Sequence, residues 1–172
     1  MPHPISVSVR LRPPHPGSAP PRIAADPQGV VTEQKVFRSV ENVVVGSDQE
    51  QAYTAIAAPL LARMRAGYSC TLLAYGQTGS GKTHTMFGPP GCLTEASLAE
   101  SGGGGGAPTA WGIFPRIALE LLQRGGGTLH ASAIEVYQDA AYDLLADRAP
   151  LQVGTKGVGR QVGGGGCVIS AV

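Results

Sequence analysis

The chain has 172 residues, of which 13 are Lys or Arg and 12 are Asp or Glu, so its formal net charge is +1. This length suits one domain with a core of ordinary size, and the balanced charge argues against a nucleic-acid-binding surface. Its three cysteines are odd in number and far apart, which disfavours a disulfide framework and a zinc site. The sequence has no signal-peptide pattern and no stretch of membrane-spanning length, so we expect a cytoplasmic protein without a membrane partner.

The first predicted strand, residues 5–11, alternates apolar and polar side chains. Residues 13–29 contain six prolines, which fit neither a helix nor a central strand, so this segment is predicted to be a flexible surface loop. The apolar residues 30–31 and 35–37 are then predicted to form a small edge hairpin.

The first predicted helix begins at a capping box formed by Ser47 and Glu50, and Gly67 ends it. Apolar side chains at helical spacing predict one buried face. They are Tyr53, Ile56, Leu60, Leu61 and Met64. Pro59 lies inside this helix, where it should kink the helix or cost about 3 kcal/mol.

A phosphate-binding loop follows the helix. The nearly all-apolar residues 70–75 predict a strand buried on both faces of a parallel sheet. The next eight residues satisfy the pattern G-x-x-x-x-G-K-[ST], and a second helix is predicted to begin at its lysine. This P-loop consists of Gly76, Gln77, Thr78, Gly79, Ser80, Gly81, Lys82 and Thr83.

Each residue type in the P-loop suits a bound triphosphate. The glycines let successive backbone N–H groups curl around phosphate oxygens at the start of a helix. Lys82 would reach the β- and γ-phosphates, and the Thr83 hydroxyl would ligate Mg²⁺. The sequence therefore predicts a site for a nucleoside triphosphate with Mg²⁺.

Beyond the P-loop, glycine and proline divide the chain into shorter elements. Residues 88–110 contain a run of five glycines and are predicted to be a flexible loop, with Trp111 as an anchor at its edge. A helix is predicted over residues 112–122, ended by the glycines 125–127, and a strand over residues 129–137. Residues 150–172 are predicted to be a Gly-rich, low-complexity tail.

Several of these motifs resemble those of the kinesin motor domain. Residues 73–86, with Gln-Thr after the first glycine of the P-loop and His-Thr-Met after its last threonine, are similar to the nucleotide loop of that family. The resemblance covers most of residues 5–145 in the right order. Arg10-Leu11-Arg12-Pro13 is similar to the family's Arg-x-Arg-Pro, residues 112–116 to its Gly-Ile-Ile-Pro-Arg, and residues 143–145 to its Asp-Leu-Leu.

The resemblance implies an α/β fold, the three-layer sandwich of P-loop NTPases, with residues 1–149 as the incomplete N-terminal half of a motor domain. It implies that Arg10, Arg12 and Pro13 pack against an adenine ring and that His84 stacks on the opposite face. ATP and Mg²⁺ are the implied cofactors. Microtubules are the implied partner, through parts mostly absent from this chain, and the microtubule cytoskeleton of the cytoplasm is the implied location.

Two family motifs that sense the γ-phosphate do not occur in these 172 residues, namely Asn-x-x-Ser-Ser-Arg-Ser-His and Asp-Leu-Ala-Gly-Ser-Glu. Phosphoryl transfer needs groups that hold the attacking water and offset developing charge, so no catalytic residue is assignable. In the family, the strands that carry these motifs insert between the strands matching residues 70–75 and 129–137. We therefore expect two exposed apolar edges, a tendency to aggregate and low stability.

The expected function is the ATP-binding part of a kinesin-like microtubule motor that couples ATP hydrolysis to movement. One alternative is a truncated, kinesin-derived nucleotide-binding remnant without hydrolysis or motor activity. A second is an unrelated P-loop NTPase. The sequence contains no coiled-coil heptads, so it predicts no oligomeric state.

Overall fold

The computed structural model describes residues 5–14, 17, 22–27, 29–100, 106–125 and 128–151. Most of the predicted glycine run and most of the predicted tail lie outside the described residues. The chain folds as a mixed α/β protein, as predicted, but the strands of its described part lie in three small sheets. None of the helices in this part is long and apolar enough to cross a membrane.

The first sheet pairs two strands in parallel, β1 (Ser8–Leu11) and β5 (Asn42–Val45). Strand β1 confirms the predicted first strand, whereas β5 was not predicted. Val44 is 2% exposed and faces the core. Backbone hydrogen bonds from Glu41 to Val7 and from Gly46 to Leu11 extend the pairing at both ends, which fixes the end of β1 next to the first helix.

The second sheet contains β2 (Ile23–Asp26), β3 (Gly29–Thr32) and β4 (Val36–Phe37), all antiparallel. Strands β3 and β4 confirm the predicted hairpin. The prediction of a loop over residues 13–29 is wrong at β2, which lies at the edge of this sheet. An edge strand tolerates flanking prolines because its outer side makes no ladder hydrogen bonds.

The third sheet contains β6 (Ile134–Tyr137), β7 (Ala140–Asp143) and β8 (Ala149–Leu151). The predicted strand over residues 129–137 is therefore formed only in its second half. Gln138 and Asp139 have φ angles of 46° and 64° and make the tight turn between β6 and β7. Strand β8 also contains the first two residues of the predicted tail.

The predicted first helix is present, with an altered geometry at its centre. It comprises α1 (Gln49–Ala52), a π-helical turn (Tyr53–Ala57) and α2 (Ala58–Arg65). The wider turn places Pro59 at the beginning of α2, where its missing N–H costs no helical hydrogen bond. The predicted cap is wrong in detail, because the side chain of Asp48, rather than Ser47, accepts from the N–H groups of Glu50 and Gln51.

The predicted strand over residues 70–75 is not formed. Only Ala74 makes an isolated bridge, and Leu73 and Tyr75 are 63% and 96% exposed. A strand needs the hydrogen-bond ladder of a neighbour, and no strand of the described residues runs alongside this segment. Val136 in β6 is 76% exposed. The expected exposure of these two apolar segments is thus confirmed.

Of the helices that follow the P-loop in the described part of the chain, two were predicted, α3 (Lys82–Met86) and α5 (Ile113–Gly125). The core joins α5 to the first helix. It consists of Tyr53, Ala57, Leu61, Ile113 and Ile117, with Leu72 packed against it. Helix α3 reaches α5 through Gly112, whose N–H donates to the carbonyl oxygen of Phe87 at 3.0 Å.

The predicted flexible loop over residues 88–110 is wrong at a short helix, α4 (Glu95–Glu100). Thr94 and Ser97 bond to each other's N–H groups with their side-chain hydroxyls, which starts this helix. Trp111 is 9% exposed and donates from Nε1 to the carbonyl oxygen of Cys92 at 2.9 Å. The anchoring role predicted for Trp111 is confirmed.

Candidate functional site

The P-loop connects the segment of residues 70–75 to α3, and its glycines take conformations that other residues rarely adopt. Gly81 caps α3 with φ 99° and ψ 20°, in the left-handed region. At Gly76, where φ is 156°, a Cβ atom would lie 2.6 Å from the Ser80 hydroxyl, so a side chain there would force the Ser80 side chain to move. The loop therefore has the compact form that a phosphate cradle requires.

The Lys82 side chain curls back over the loop. Its Nζ atom donates to the carbonyl oxygen of Gly76 at 2.7 Å and to that of Gln77 at 3.3 Å. The N–H of Ser80 also donates to the Gln77 carbonyl oxygen, at 3.1 Å. These bonds keep the ammonium group at the loop, where the sequence predicts contact with phosphate.

Several predicted site residues are open to solvent. Thr83 is exposed at the first turn of α3, so its hydroxyl is accessible to a metal ion. The others in this group are Arg12, Pro13, Gln77, Thr78, Gly79 and Ser80. Pro13 follows directly after Arg12, and the remainder form the outer surface of the P-loop.

Arg12, just beyond the end of β1, lies against the P-loop. Its Nη1 atom donates to the carbonyl oxygen of Gly79 at 2.9 Å. The structure thus brings together two motifs that are 67 residues apart in sequence. Their proximity follows from the pairing of β1 with β5, which sets the position at which β1 ends.

Arg10 is bonded within the protein at several points. Its guanidinium donates to Gln49 Oε1 at 2.8 Å, to the Thr85 hydroxyl at 3.1 Å, and to the carbonyl oxygens of Gly46 and Asp48 at 3.3 Å each. Burial lowers the pKa of Arg10, although Asp48 acts in the opposite direction. Arg10 therefore ties β1 to the start of α1 and to α3.

His84, on α3, lies beside the same cluster. Its carbonyl oxygen accepts from Gln49 Nε2 at 2.7 Å, and its Nδ1 atom is 3.4 Å from that nitrogen. Partial burial lowers the pKa of His84, and the positive charge of Arg10 lowers it further. The structure thus places His84 next to Arg10 and Gln49.

Sequence reasoning missed the buried polar residues around the site. Gln49 and Arg116 are 4% and 5% exposed, and both were seen only as parts of helices. Arg116 forms an ion pair with Glu50 and donates to the carbonyl oxygens of Pro108, Thr109 and Trp111. The sequence signal that could have identified them is a polar residue at a helix position that faces the core.

Comparison with known proteins agrees with the predicted family and fold. A family model for the kinesin motor domain matches residues 23–162. The chain is 40% identical over 134 residues to kinesin-like protein klp-19 of Caenorhabditis elegans and 33% identical over 124 residues to kinesin-like protein Nod of Drosophila melanogaster. These alignments cover 73% and 70% of this chain but only 11% and 18% of those proteins.

One similar solved structure is Drosophila NOD, docked together with bovine tubulin into an 11-Å cryo-EM map of nucleotide-free NOD complexed to the microtubule. The TM-score is 0.60 at 25% sequence identity, and the match covers 86% of this chain and 52% of that one. The chain therefore spans about half of the NOD chain in that structure.

Proposed function

Because the chain belongs to the kinesin motor-domain family, we propose that its P-loop binds ATP with Mg²⁺ and that it forms the nucleotide-binding part of a microtubule motor. The observation that carries the proposal is the tight P-loop with the Lys82 ammonium held at its backbone. The protein then acts on the microtubule cytoskeleton of the cytoplasm.

The residues of the site suit a magnesium nucleotide. A Cβ at Gly76 would displace the Ser80 side chain, which fits a loop whose backbone wraps closely around phosphate. Lys82 provides the positive charge at the loop, and the exposed Thr83 hydroxyl provides an oxygen ligand for Mg²⁺. A bound magnesium ion would neutralise charge on the phosphates during phosphoryl transfer.

We assign the binding of the nucleotide base to a second group of residues. Arg12 is bonded to the P-loop at Gly79, with Pro13 exposed next to it. Arg10 and His84 lie beside each other on the adjoining β1 and α3. A planar cation and a flat ring both stack favourably on a purine, so this group suits the adenine.

A second candidate function is nucleotide binding without hydrolysis. It requires only the P-loop contacts of Lys82 and the exposed hydroxyl of Thr83. Positioning of the attacking water has to come from groups other than Lys82 and Thr83. The two candidates share the nucleotide site and differ in phosphate release.

Phosphate release by the full-length protein, measured with and without microtubules, tests the proposal. The Lys82→Ala variant removes the P-loop charge, and Lys35→Ala is the matched control because Lys35 is an exposed lysine in the turn between β3 and β4. We expect microtubules to stimulate the wild type and Lys35→Ala, and Lys82→Ala to lose most of this activity. ATP binding that depends on Lys82 without any release would favour the second candidate.

A further inference from the structure

Gln49 is an uncharged polar side chain that is buried, and apolar packing does not explain a polar group there. It is the first residue of α1 and is 4% exposed. A buried amide is costly unless its polar atoms are paired. Both ends of this amide are paired, and their partners, Arg10 and His84, are two of the residues assigned to the nucleotide site.

The orientation of the Gln49 amide follows from these partners. Arg10 Nη1 is 2.8 Å from one end, and a guanidinium group can only donate, so that end is the oxygen. The other end lies 2.7 Å from the carbonyl oxygen of His84, which can only accept. Both contacts therefore require the NH₂ group of Gln49 to face α3.

This orientation restricts the proton on the His84 ring. The Gln49 nitrogen lies 3.4 Å from His84 Nδ1. This contact is long, but the orientation of the amide determines that Gln49 is its donor. An N–H on Nδ1 would point at the NH₂ group, and two donors would face each other. An unprotonated Nδ1 instead offers its lone pair to Gln49. The ring is then neutral and carries its proton on Nε2.

We propose that Gln49 is a positioning residue of the nucleotide site, which fixes the orientation of the His84 ring through its contact with Nδ1 and so places the ring N–H on Nε2. The inference rests on the proposed function, because His84 is the ring that we place against the adenine. A ring that is held in one orientation by Arg10 and Gln49 does not have to be ordered when the base binds. Gln49 thus acts on the base through His84, without touching it.

The proton position can be measured directly by long-range ¹H–¹⁵N correlation spectra of the labelled full chain at pH 7 without nucleotide. His84→Gln assigns the His84 signals, and the exposed His130 is an internal reference. We expect an unprotonated Nδ1 and a protonated Nε2 for His84. A protonated Nδ1, or averaging between the two tautomers, would overturn the proposal.

A matched pair of variants tests the part played by Gln49. Gln49→Glu replaces the donor with a carboxylate, which only accepts, so we expect the proton to move to Nδ1. Gln51→Glu makes the same charge change at an exposed position on α1 and should keep the wild-type pattern. An unchanged His84 pattern in folded Gln49→Glu counts against the proposal. The wild-type spectrum decides the tautomer even where this variant does not fold.

Ligand binding separates a positioning role from a merely structural one. In Gln49→Met we expect ATP to bind about 2-fold to 10-fold more weakly, the worth of one neutral hydrogen bond. Inorganic tripolyphosphate, competed against a fluorescent ATP analogue, should bind as in the wild type because it lacks a base. Equal weakening of both ligands would refute a role at the base end.

Failure of this inference is distinguishable from failure of the proposed function. The tautomer is read without any ligand, so it does not depend on nucleotide binding. A wild-type chain that binds neither ATP nor tripolyphosphate contradicts the proposed function and the positioning role together, although the tautomer is still decided by the spectrum. ATP binding that depends on Lys82 but not on Gln49 contradicts the positioning role alone.

Discussion

The guanidinium of Arg12 donates a hydrogen bond to the carbonyl oxygen of Gly79 at 2.9 Å. This contact joins the segment after β1 to the middle glycine of the P-loop. Because the carbonyl oxygen of Gly79 accepts from Arg12, the contact restrains the backbone of the P-loop at Gly79. Arg12 thereby supports the P-loop from the side of the predicted base site.

Substitution of Arg12 should weaken ATP binding. We expect Arg12→Ala to raise the Kd by about 3-fold to 10-fold, since one partly exposed hydrogen bond is lost. Arg38→Ala, at an exposed arginine outside the site, is the control and should leave the Kd unchanged. Fluorescence titration with an ATP analogue measures both. A Kd for Arg12→Ala equal to that of the control would show that the contact has no role in binding.

Removal of the Thr83 hydroxyl should weaken the binding of Mg²⁺ more than it weakens the binding of the nucleotide itself. We expect Thr83→Ala to raise the Mg²⁺ concentration needed for tight ATP binding by about 10-fold or more, because an oxygen ligand is lost. Thr83→Ser keeps the hydroxyl and should resemble the wild type. The test is a Mg²⁺ titration at a fixed ATP concentration, and identical midpoints in the two variants would contradict the assignment of Thr83.

A side chain at Gly112 should separate α3 from α5. A Cβ atom there would lie 2.5 Å from the backbone nitrogen of Phe87 and 2.6 Å from the carbonyl carbon of Met86, and backbone atoms cannot move aside cheaply. We expect Gly112→Ala to lower the free energy of unfolding by about 1–3 kcal/mol.

The control for this substitution is Gly106→Ala. Nothing lies within 4 Å of a Cβ built on Gly106, so the same change should leave the stability within about 0.5 kcal/mol of the wild type. Chemical denaturation of the three proteins gives the comparison. Equal midpoints for Gly112→Ala and Gly106→Ala would mean that the two helices are not in close contact at Gly112.

Tyr53 should make the stability sensitive to alkaline pH. Burial raises the pKa of Tyr53, and a hydrogen bond to the Glu120 carboxylate raises it further. Because the folded-state pKa lies above the ordinary value of 10.0, the stabilisation is complete below pH 10 and is lost as the pH rises above it.

The free energy of unfolding should fall by at most about 1.4 kcal/mol per pH unit, because one proton is involved. We expect Tyr53→Phe to remove that part of the slope. Tyr68→Phe should retain it, because Tyr68 is 58% exposed. Urea unfolding between pH 9 and 11 provides the measurement. Parallel curves for the wild type and Tyr53→Phe would exclude a contribution from Tyr53.

Local signals in the sequence predicted the P-loop and its helices well. The hydrogen bonds of Lys82 and Ser80 within the loop join residues at most six positions apart, and α3 and α5 begin where expected. The cap of α1 was assigned one residue early, because Ser47 and Asp48 are both good caps and only the backbone angles at Asp48 decide between them.

Contacts between distant segments were harder to predict. Residues 70–75 have the composition of a buried strand, but a strand forms only beside a partner, and composition does not identify that partner. The pairing of β1 with β5 and the contacts of Gln49 with Arg10 and His84 join residues more than 30 positions apart. Such contacts depend on the whole fold, so no local pattern indicates them.

The most direct test of the central claim is the affinity of the full chain for ATP with Mg²⁺ in Lys82→Ala and in its control Lys35→Ala. We predict that Lys82→Ala weakens binding by about 1.5–3 kcal/mol, roughly 10-fold to 150-fold, the worth of a hydrogen bond to a charged group. Lys35→Ala should bind like the wild type. A folded Lys82→Ala protein with wild-type affinity would contradict the assignment of residues 76–83 as the nucleotide site.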